Sequence, residues 1–306
     1  MPKHSTIHDS FIRAIMADKT IAIAYFEAYL PPFVSEALNF ETLTPLPDTY
    51  LSDTLNKTIS DIVYTCRQKK GNASVKVCLL VEHKSYPDKN TTIQIGSYIF
   101  SALQQQLSNK EELSIVIPVL LYHGKGKWQY HKLSHLFKPI DSRWKQFIPD
   151  FSYIYNDLGA ISNEAVEKLN NRFLAASLLA LKNSFQKKWL ELNALKMLFL
   201  AEDASQNLQK NFAVYLFGRS ELKEEDIRKL LDFLSTNLKN NVMSTLDIFI
   251  EKGMEIGLKI GIENLEKKNY EVVKNLLAIN KLTISEIAKT AAVTEAFVKY
   301  VQQTSN

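Results

Sequence analysis

The spacing of apolar residues along the chain predicts helices and strands in the first half and helices alone in the second half. Helical spacing is present over residues 8–30, 34–39 and 91–107. Runs rich in Val, Ile, Leu and Tyr predict strands over 59–67, 74–84 and 114–122, and a shorter strand within 150–157. From residue 163 onward the predicted helices cover 163–184, 187–216, 222–238 and 241–268. This order predicts an α/β layer structure followed by an all-helical C-terminal half.

Local signals refine these elements. The segment 40–58, which contains Pro45 and Pro47, reads as a loop. Pro118 lies inside the predicted strand 114–122 and argues for an edge or bulged position, because proline cannot donate to a strand ladder. The packing face of the helix over 91–107 is predicted to consist of Ile93, Ser97, Phe100 and Leu103.

The centre of the pattern is a predicted β-hairpin, in which two apolar runs flank a polar break containing Gly71 and Asn72. This pair tolerates the positive φ of a tight turn. If it forms a two-residue loop, Asp61 lies directly opposite Glu82, and opposed residues share a face of the sheet. Lys84, two residues beyond Glu82, projects to the same side. A three-residue loop would send Asp61 to the other face, so the prediction depends on the register.

The helical half carries two further patterns. Gly253, Gly257 and Gly261 recur every four residues and form one stripe of a predicted helix. Each glycine costs about 1 kcal/mol relative to alanine, so the stripe indicates either close approach of another helix or a weakly stable linker helix. Residues 285–302 have the shape of a helix-turn-helix. Lys299 is the basic residue of its second helix, and a small helical cap without DNA contact is the alternative.

Composition and charge limit the class of protein only broadly. The chain has 306 residues, 46% of them hydrophobic, and a net charge of +4, which permits DNA binding without arguing for it. The first twenty residues lack a signal-peptide pattern, and no window approaches the roughly 18 apolar residues of a membrane span, so we expect a cytoplasmic protein with no membrane contact. Cys66 and Cys78 are expected to be reduced packing residues. No Walker loop, dinucleotide fingerprint or serine nucleophile elbow is present in the sequence.

Basic residues concentrate in one stretch that also contains aromatic residues. The basic members are Lys125, Lys127, Lys132, Lys138, Arg143 and Lys145, and the aromatic members are Trp128, Tyr130, Phe137 and Trp144. Such a mixture suits a rim that contacts DNA phosphates, and we predict DNA contacts for Lys125 and Lys127. A solvated loop region with a few aromatic anchors is an equal alternative.

An aspartate on one strand and a Glu-x-Lys on the next suit metal-dependent cleavage of a phosphodiester bond. The carboxylates of Asp61 and Glu82 are hard oxygen ligands for Mg²⁺, and the backbone carbonyl of His83 offers a further ligand. An ammonium group at Lys84 would orient the attacking water and offset developing charge. By itself the pattern is weak, and an exposed strand edge with a salt bridge is the alternative.

Zinc is a second metal to consider, because His131 and His135 lie four residues apart with His123 nearby. No cysteine pair or glutamate completes a tetrahedral set around them. We therefore set the zinc interpretation aside.

Five short motifs between residues 8 and 124 occur in a recognisable order. They are H-D-S-F at 8–11, S-D-I-V-Y at 60–64, L-L-V-E-H-K-S at 79–85, Q-I-G-S-Y at 94–98 and I-P-V-L-L-Y-H-G at 117–124. In these motifs the chain resembles the bacterial recombination-promoting nuclease and putative transposase family, a branch of the PD-(D/E)XK nuclease superfamily. The glycine-spaced helix also resembles the C-terminal region of that family.

The resemblance implies a restriction-endonuclease-like mixed-sheet core flanked by helices. It implies that Asp61 and Glu82 are metal ligands and that Lys84 is the catalytic lysine, where many family members have glutamine. Gln94 and Tyr98 correspond to a Gln-x-x-x-Tyr motif that lines the site in related nucleases. Four further residues match the family motifs and are candidates for accessory roles: His8, Asp9, Tyr122 and His123. A helix cap is the simpler account of Asp9, and a strand-end turn that of His123.

Together these patterns and the family resemblance predict a Mg²⁺-dependent DNA endonuclease, with Mn²⁺ or Ca²⁺ as other candidate ions, and the resemblance implies an association with recombination, transposition or mobile-element defence. The alternative is a non-cleaving regulator that binds DNA or a protein partner on a nuclease fold. We expect a homodimer, because cutting both strands of a duplex needs two sites. The predicted domains are a nuclease core at 1–160, a helical region at 161–250 and a C-terminal segment at 251–306.

Overall fold

The first part of the chain contains both helices and strands. The computed structural model describes residues 7–46, 60–70, 74–82 and 90–304, with the backbone alone for 60–61, 74, 76–82 and 248–266. The first elements are α1 (Ile7–Met16), α2 (Lys19–Tyr29), α3 (Pro32–Ser35), β1 (Leu38–Pro45), β2 (Ser60–Gln68), β3 (Ser74–Glu82), α4 (Thr91–Ser108), β4 (Ile115–Tyr122) and β5 (Ile154–Asp157). Short 3-10 helices cover Leu133–Leu136, Ser142–Phe147 and Leu158–Ala160.

These strands form a five-stranded mixed sheet in the order β1-β2-β3-β4-β5. β2 is antiparallel to both β1 and β3, whereas β4 is parallel to β3 and to β5. A parallel connection requires a crossover, and α4 supplies it between β3 and β4. The predicted α/β fold with a mixed sheet is confirmed.

The predicted hairpin is present, but its register differs from the prediction by two residues. Asp61 pairs with Leu80 rather than with Glu82, and the pairing continues to Arg67 with Ser74. The direct opposition of Asp61 and Glu82 was therefore wrong. Because the side-chain period of a strand is two, a shift of two residues leaves positions 61 and 82 in the same alternating set.

Pro118 occupies a position of β4 where the neighbouring strand β5 has not yet begun. It pairs with Cys78 of β3 on one side. On the other side, β5 pairs with β4 only from Val119 onward. The strand is therefore locally at an edge of the described sheet, which explains how proline is accommodated there.

Different helices cover the two faces of the sheet. On one face, Tyr64 of β2 donates a hydrogen bond to the Met16 carbonyl at the end of α1. On the same face, the Asn156 amide of β5 donates to the Tyr25 hydroxyl of α2 at 2.9 Å. The other face packs against α4 through buried side chains of the helix and of the strands: Ile95, Tyr98, Ala102, Val63, Leu120 and Tyr122.

The N-terminal region differs from the sequence prediction in two ways. The helix predicted over 8–30 is split, because the Asp18 carboxylate accepts hydrogen bonds from the backbone of Thr20 and Ile21 and caps α2. The helix predicted over 34–39 is confined to α3, and β1 occupies part of the predicted loop. A register shift between Asn39 and Thr44 interrupts the alternation of β1, which is why its strand pattern was not evident.

The predicted packing face of α4 was wrong. Ile93 and Phe100 are 52% and 53% exposed, whereas Ile95 and Tyr98 are buried against the sheet. The helix carries apolar residues on two sides, so helical periodicity alone did not identify the side that faces the sheet. The predicted bounds of the helix agree with the structure within one residue.

The chain after residue 160 is helical, as predicted, with more breaks than the periodicity showed. The helices are α5 (Asn163–Glu167), α6 (Arg172–Lys182), α7 (Lys187–Leu200), α8 (Gln206–Arg219), α9 (Glu224–Leu231), α10 (Thr236–Ala278), α11 (Ile284–Ala291) and α12 (Glu295–Thr304). Phe11 of α1 stacks on Tyr215 of α8, with ring centroids 4.0 Å apart. The N-terminal helix therefore packs directly into the helical region.

The chain divides into two compact units, Met1–Met243 and Ser244–Asn306. In the second unit, the end of α10 packs with α11 and α12 around Val273, Ile287, Val298 and Val301. Thr283 and Glu286 form a reciprocal capping box at the start of α11. The predicted pair of short helices is present, and the three predicted domain boundaries stay predictions. No helix in the described ranges is long and apolar enough to cross a membrane.

Buried tyrosines are expected to make the first unit less stable at alkaline pH. Burial raises the pKa of Tyr25, Tyr64 and Tyr215 and raises the pKa of Tyr29 to about 12. The folded state therefore keeps phenol protons that the unfolded chain loses above a pH of about 10. Because the unfolded state then binds fewer protons, the free energy of unfolding falls as pH rises.

We expect unfolding above a pH of about 10, accompanied by a large step in tyrosinate absorbance. The measurement is an alkaline titration followed by absorbance and by circular dichroism on the same sample. Complete tyrosine ionisation with unchanged circular dichroism would contradict the expectation.

Candidate functional site

Positions 61 and 82 of the hairpin belong to the sheet face that α4 covers. Asp61 pairs with Leu80, and Leu80 pairs with Leu120 of β4. Glu82 pairs with Tyr122. Since directly paired residues share a face of the sheet, positions 61 and 82 fall in the same set as Leu120 and Tyr122, which pack against α4. For positions 61 and 82 the structure describes the backbone, so this placement rests on the register.

The N-terminal end of α4 lies toward the end of β4 that carries Tyr122. At the other end of the helix, the Gln106 side chain accepts a hydrogen bond from the backbone N–H of Ser114, just before β4, at 2.6 Å. The start of α4 must therefore lie near the end of β4, because the helix runs back along the strand. Thr92 supports this direction, since its hydroxyl donates to the His131 carbonyl, beyond the end of β4, at 3.1 Å.

Gln94 and Tyr98 lie one turn apart in this part of α4. Tyr98 is buried among the side chains between the helix and the sheet. The side-chain carbonyl oxygen of Gln94 is buried, as is the hydroxyl oxygen of Thr91, and neither has a hydrogen-bond partner in the described part of the chain. A buried polar atom left without a partner costs about 1–3 kcal/mol. The first turns of α4 therefore suit a hydrogen-bonding water or ligand.

Tyr122 has a structural explanation. Its ring is fully buried and contacts Trp128 edge-on, with ring centroids 5.1 Å apart. Its hydroxyl donates a hydrogen bond to the Gly126 carbonyl at 2.7 Å. Tyr122 thus fixes the chain that leaves β4, and an additional accessory role in catalysis stays a prediction.

His8 and His123, which match different sequence motifs, come together in a buried cluster. Their ring centroids are 4.8 Å apart, and the side chains are 7% and 2% exposed. A hydrogen bond of 2.7 Å joins His8 Nδ1 and the Tyr215 hydroxyl oxygen. The His123 ring is stacked on Phe185, with centroids 6.1 Å apart. We call His8, His123, Phe185 and Tyr215 the histidine cluster.

Two cations border the histidine cluster. The Lys125 ammonium lies over the Phe185 ring, 5.3 Å from its centroid. The Arg219 guanidinium lies 5.8 Å from the same centroid and donates to the Ser184 carbonyl at 3.0 Å. Lys125 and Lys127 are both exposed, and the Lys125 ammonium also contacts the Phe185 ring. DNA contacts of either lysine stay predictions.

Asp9 lies in the first turn of α1, which begins at Ile7. It therefore lies inside the helix and not at the N-cap position that the sequence suggested. A carboxylate in the first turn still interacts favourably with the helix dipole.

Two of the predicted site residues lie outside the described residues, namely His83 and Lys84. Among the described side chains, no group of three or more His, Cys, Asp or Glu residues could hold a metal ion. The side chains of Asp61 and Glu82 do not belong to that set. At the zinc candidate, the rings of His131 and His135 have centroids 6.4 Å apart.

Sequence patterns did not indicate three residues in or beside the histidine cluster: Phe185, Tyr215 and Arg219. They lie in or just before the helices of the second half. Phe185 and Tyr215 contact the histidines, and Arg219 lies over Phe185. Helical periodicity predicted the helix that carries Tyr215, but periodicity does not identify the partner of a buried side chain. Pairing of residues from the two halves was therefore not predictable from local patterns.

Replacement of Tyr215 by phenylalanine should destabilise the first unit by about 1–3 kcal/mol, because His8 Nδ1 would lose a buried hydrogen-bond partner. The measurement is urea-induced unfolding followed by circular dichroism. Tyr29→Phe is the matched control, since Tyr29 is only partly buried, and it should have a smaller effect. Equal stability of the Tyr215→Phe and wild-type proteins would contradict the inferred contribution.

A family model described as "Putative transposase, YhgA-like" matches residues 6–211. The chain therefore belongs to that family, and the resemblance inferred from the motifs is confirmed. It is similar to the recombination-promoting nuclease RpnD of Escherichia coli O157:H7, with 25% identity over 144 residues, which are 45% of this chain and 55% of that protein. It is also similar to the recombination-promoting nuclease RpnC of Escherichia coli strain K12, with 25% identity over 123 residues, 40% of each chain.

The matched region spans about half or less of the length of these relatives. No solved structure matches the chain.

Proposed function

We propose that the chain is a metal-dependent DNA endonuclease with its site on the β2–β3 hairpin, formed by Asp61, Glu82 and Lys84. The observation that carries this proposal is the strand register, which assigns positions 61 and 82 to the face covered by α4. The five-stranded mixed sheet would then be a restriction-endonuclease-like core. The names of the two relatives, both recombination-promoting nucleases, support nuclease activity in DNA recombination.

The chemistry of the donor set fits Mg²⁺. Asp61 and Glu82 offer carboxylate oxygens, and the His83 backbone offers a carbonyl oxygen, which are the ligands that hard cations prefer. Mn²⁺ or Ca²⁺ would accept the same donors. When bound, the ion would polarise the phosphate and lower the pKa of a water molecule.

Groups of the chain would perform the remaining steps. Lys84 would orient the attacking water and offset negative charge that develops on the phosphate. Gln94 would accept a hydrogen bond from that water through its buried carbonyl oxygen, which has no partner in the described parts of the chain. Tyr98, buried between α4 and the sheet, would hold the helix in place. Hydrolysis would then need no covalent intermediate.

The proposed partners are DNA and a second copy of the chain. Cutting both strands of a duplex requires two sites, which a homodimer supplies. Gly253, Gly257 and Gly261 recur one turn apart within α10, and glycine permits close approach of a second helix. The oligomeric state follows from the proposed function and is tested by light scattering on the purified protein.

The test of the proposed function is cleavage of supercoiled plasmid by purified protein with Mg²⁺, with Mn²⁺ and with EDTA. We expect nicked and linear products with either metal and none with EDTA. Cleavage that continues in EDTA would contradict a metal-dependent mechanism. If the folded protein cut neither duplex DNA nor single-stranded DNA nor RNA, the result would contradict the nuclease and support a regulator built on the same fold.

A further inference from the structure

Two large aromatic side chains are exposed beside each other after β4. Trp144 is 59% exposed and Phe147 is 71% exposed, and their ring centroids are 6.2 Å apart. We call them the exposed aromatic pair. Phe137, a few residues earlier, is also 50% exposed. Exposed aromatic residues that lie together indicate a binding surface, because removal of apolar rings from water on binding lowers the free energy.

The exposed aromatic pair is held by an ordered turn. Both residues belong to the 3-10 helix Ser142–Phe147, in which residues three apart lie on the same side. The Asp141 carboxylate accepts a hydrogen bond from the Arg143 backbone at 2.9 Å and forms a salt bridge with the Arg143 guanidinium at 2.7 Å. These contacts orient the rings before any partner binds, which lowers the entropic cost of binding.

The charge around the pair is positive. Residues 137–147 contain Lys138, Arg143 and Lys145 against the single acid Asp141, for a net charge of +2. Arg143 is paired with Asp141, and the pKa of that carboxyl is lowered by this contact. Lys138 and Lys145 are exposed and have no ion-pair partner among the described residues. Two unpaired ammonium groups beside two exposed rings complement a strand with phosphates and bases.

The structure also separates these rings from the other aromatic residues of the basic stretch. Trp128 is 7% exposed and packs on Tyr122, and Tyr130 contacts Tyr153 with ring centroids 4.5 Å apart. Trp128 therefore belongs to the protein interior, and Tyr130 is partly buried against it. The exposed aromatic side chains of the stretch are the exposed aromatic pair and Phe137.

We propose that the exposed aromatic pair stacks on unpaired bases of a DNA strand, while Lys138 and Lys145 contact its phosphates. The proposal deepens the proposed function, on which it rests for DNA as the ligand, by naming single-stranded or locally unpaired DNA as the preferred form. Bases inside an intact duplex are already stacked and offer no free face. A ring pair therefore selects strands whose bases are free to stack on protein side chains.

The test is binding of fluorescently labelled single-stranded and duplex oligonucleotides in EDTA, so that no DNA is cut. Trp144→Leu and Phe147→Leu should each weaken binding of the single strand at least about fivefold and leave duplex binding nearly unchanged. Trp144→Phe keeps an aromatic face and should retain most of the affinity. Phe33→Leu is the matched control, since Phe33 is 78% exposed outside this surface, and it should bind as the wild type does.

Tryptophan fluorescence gives a second readout from the same protein. Of the three tryptophans, Trp144 is exposed, Trp128 is buried and Trp189 is partly buried. Stacking on bases should quench the emission of Trp144, and the Trp144→Phe protein should lose that quenching while it still binds. Circular dichroism of each variant checks that its fold is unchanged.

Three results would overturn the proposal: no binding of single-stranded DNA by the wild type, unchanged binding by both leucine variants, or an equal loss for duplex and single strand. The last result would indicate a general contact surface. Because this assay contains no metal and the plasmid assay measures cleavage, failure of either proposal is distinguishable from failure of the other.

Discussion

Asp61→Asn and Glu82→Gln are each expected to reduce metal-dependent DNA cleavage by at least about a thousandfold. Each substitution keeps the size of the side chain and removes the negative charge that would hold the metal ion. The strand register assigns both positions to one sheet face, so loss of either should disable the same site. The measurement is the initial rate of supercoiled plasmid loss at saturating Mg²⁺.

Glu112→Gln is the control for this experiment. Glu112 is exposed in the connection between α4 and β4, so its replacement removes a charge without touching the hairpin. It should cleave at the wild-type rate, and all three variants should melt close to the wild-type temperature. Wild-type cleavage by folded Asp61→Asn protein would exclude Asp61 from the site.

Phe11→Ala is expected to lower the free energy of unfolding of the first unit by about 3–5 kcal/mol. Phe11 is 3% exposed and stacks on Tyr215 with parallel rings, 9° apart. Truncation would leave a cavity between α1 and α8 that the surrounding helices fill only in part. Urea unfolding of the variant and the wild type measures the difference.

The matched control is Phe33→Ala, because Phe33 is 78% exposed. Loss of an exposed ring should change the free energy of unfolding by no more than about 0.5 kcal/mol. A Phe11→Ala effect as small as this would contradict the inferred packing of α1 against α8. In the urea titration, the circular dichroism and tryptophan signals should be lost together. The reason is that α1 contacts both α8, through Phe11, and the sheet, through the Met16 carbonyl.

The sequence predicted the hairpin, α4 and β4 well, because each has a continuous periodic pattern of its own. The strand register keeps positions 61 and 82 in one alternating set, as the sequence predicted, but the direct pairing of the two residues was predicted incorrectly. The polar break allows several loop lengths. Whether the number of loop residues is even or odd decides which face of the sheet a given position belongs to. The register shift of two residues kept that parity. For this reason positions 61 and 82 still belong to one alternating set, although the two acids are not directly opposite each other.

Other features were beyond local patterns. β1 was missed because a register shift interrupts its alternation. The buried side of α4 was misjudged because both sides carry apolar residues. The histidine cluster joins His8 and His123 to Tyr215 from a distant helix, and no spacing rule relates residues so far apart along the chain. In each case the tertiary contact, rather than the segment itself, determined the outcome.

Calorimetric titration with Mn²⁺ tests most directly whether positions 61 and 82 hold one metal site. Removal of residues that only support a metal ligand already costs about 10- to 100-fold in affinity. Loss of a direct ligand should therefore weaken binding at least as much. We expect wild-type protein to bind Mn²⁺ and both Asp61→Asn and Glu82→Gln to lose at least about tenfold in affinity. Wild-type affinity in both folded variants would contradict the metal site on the hairpin.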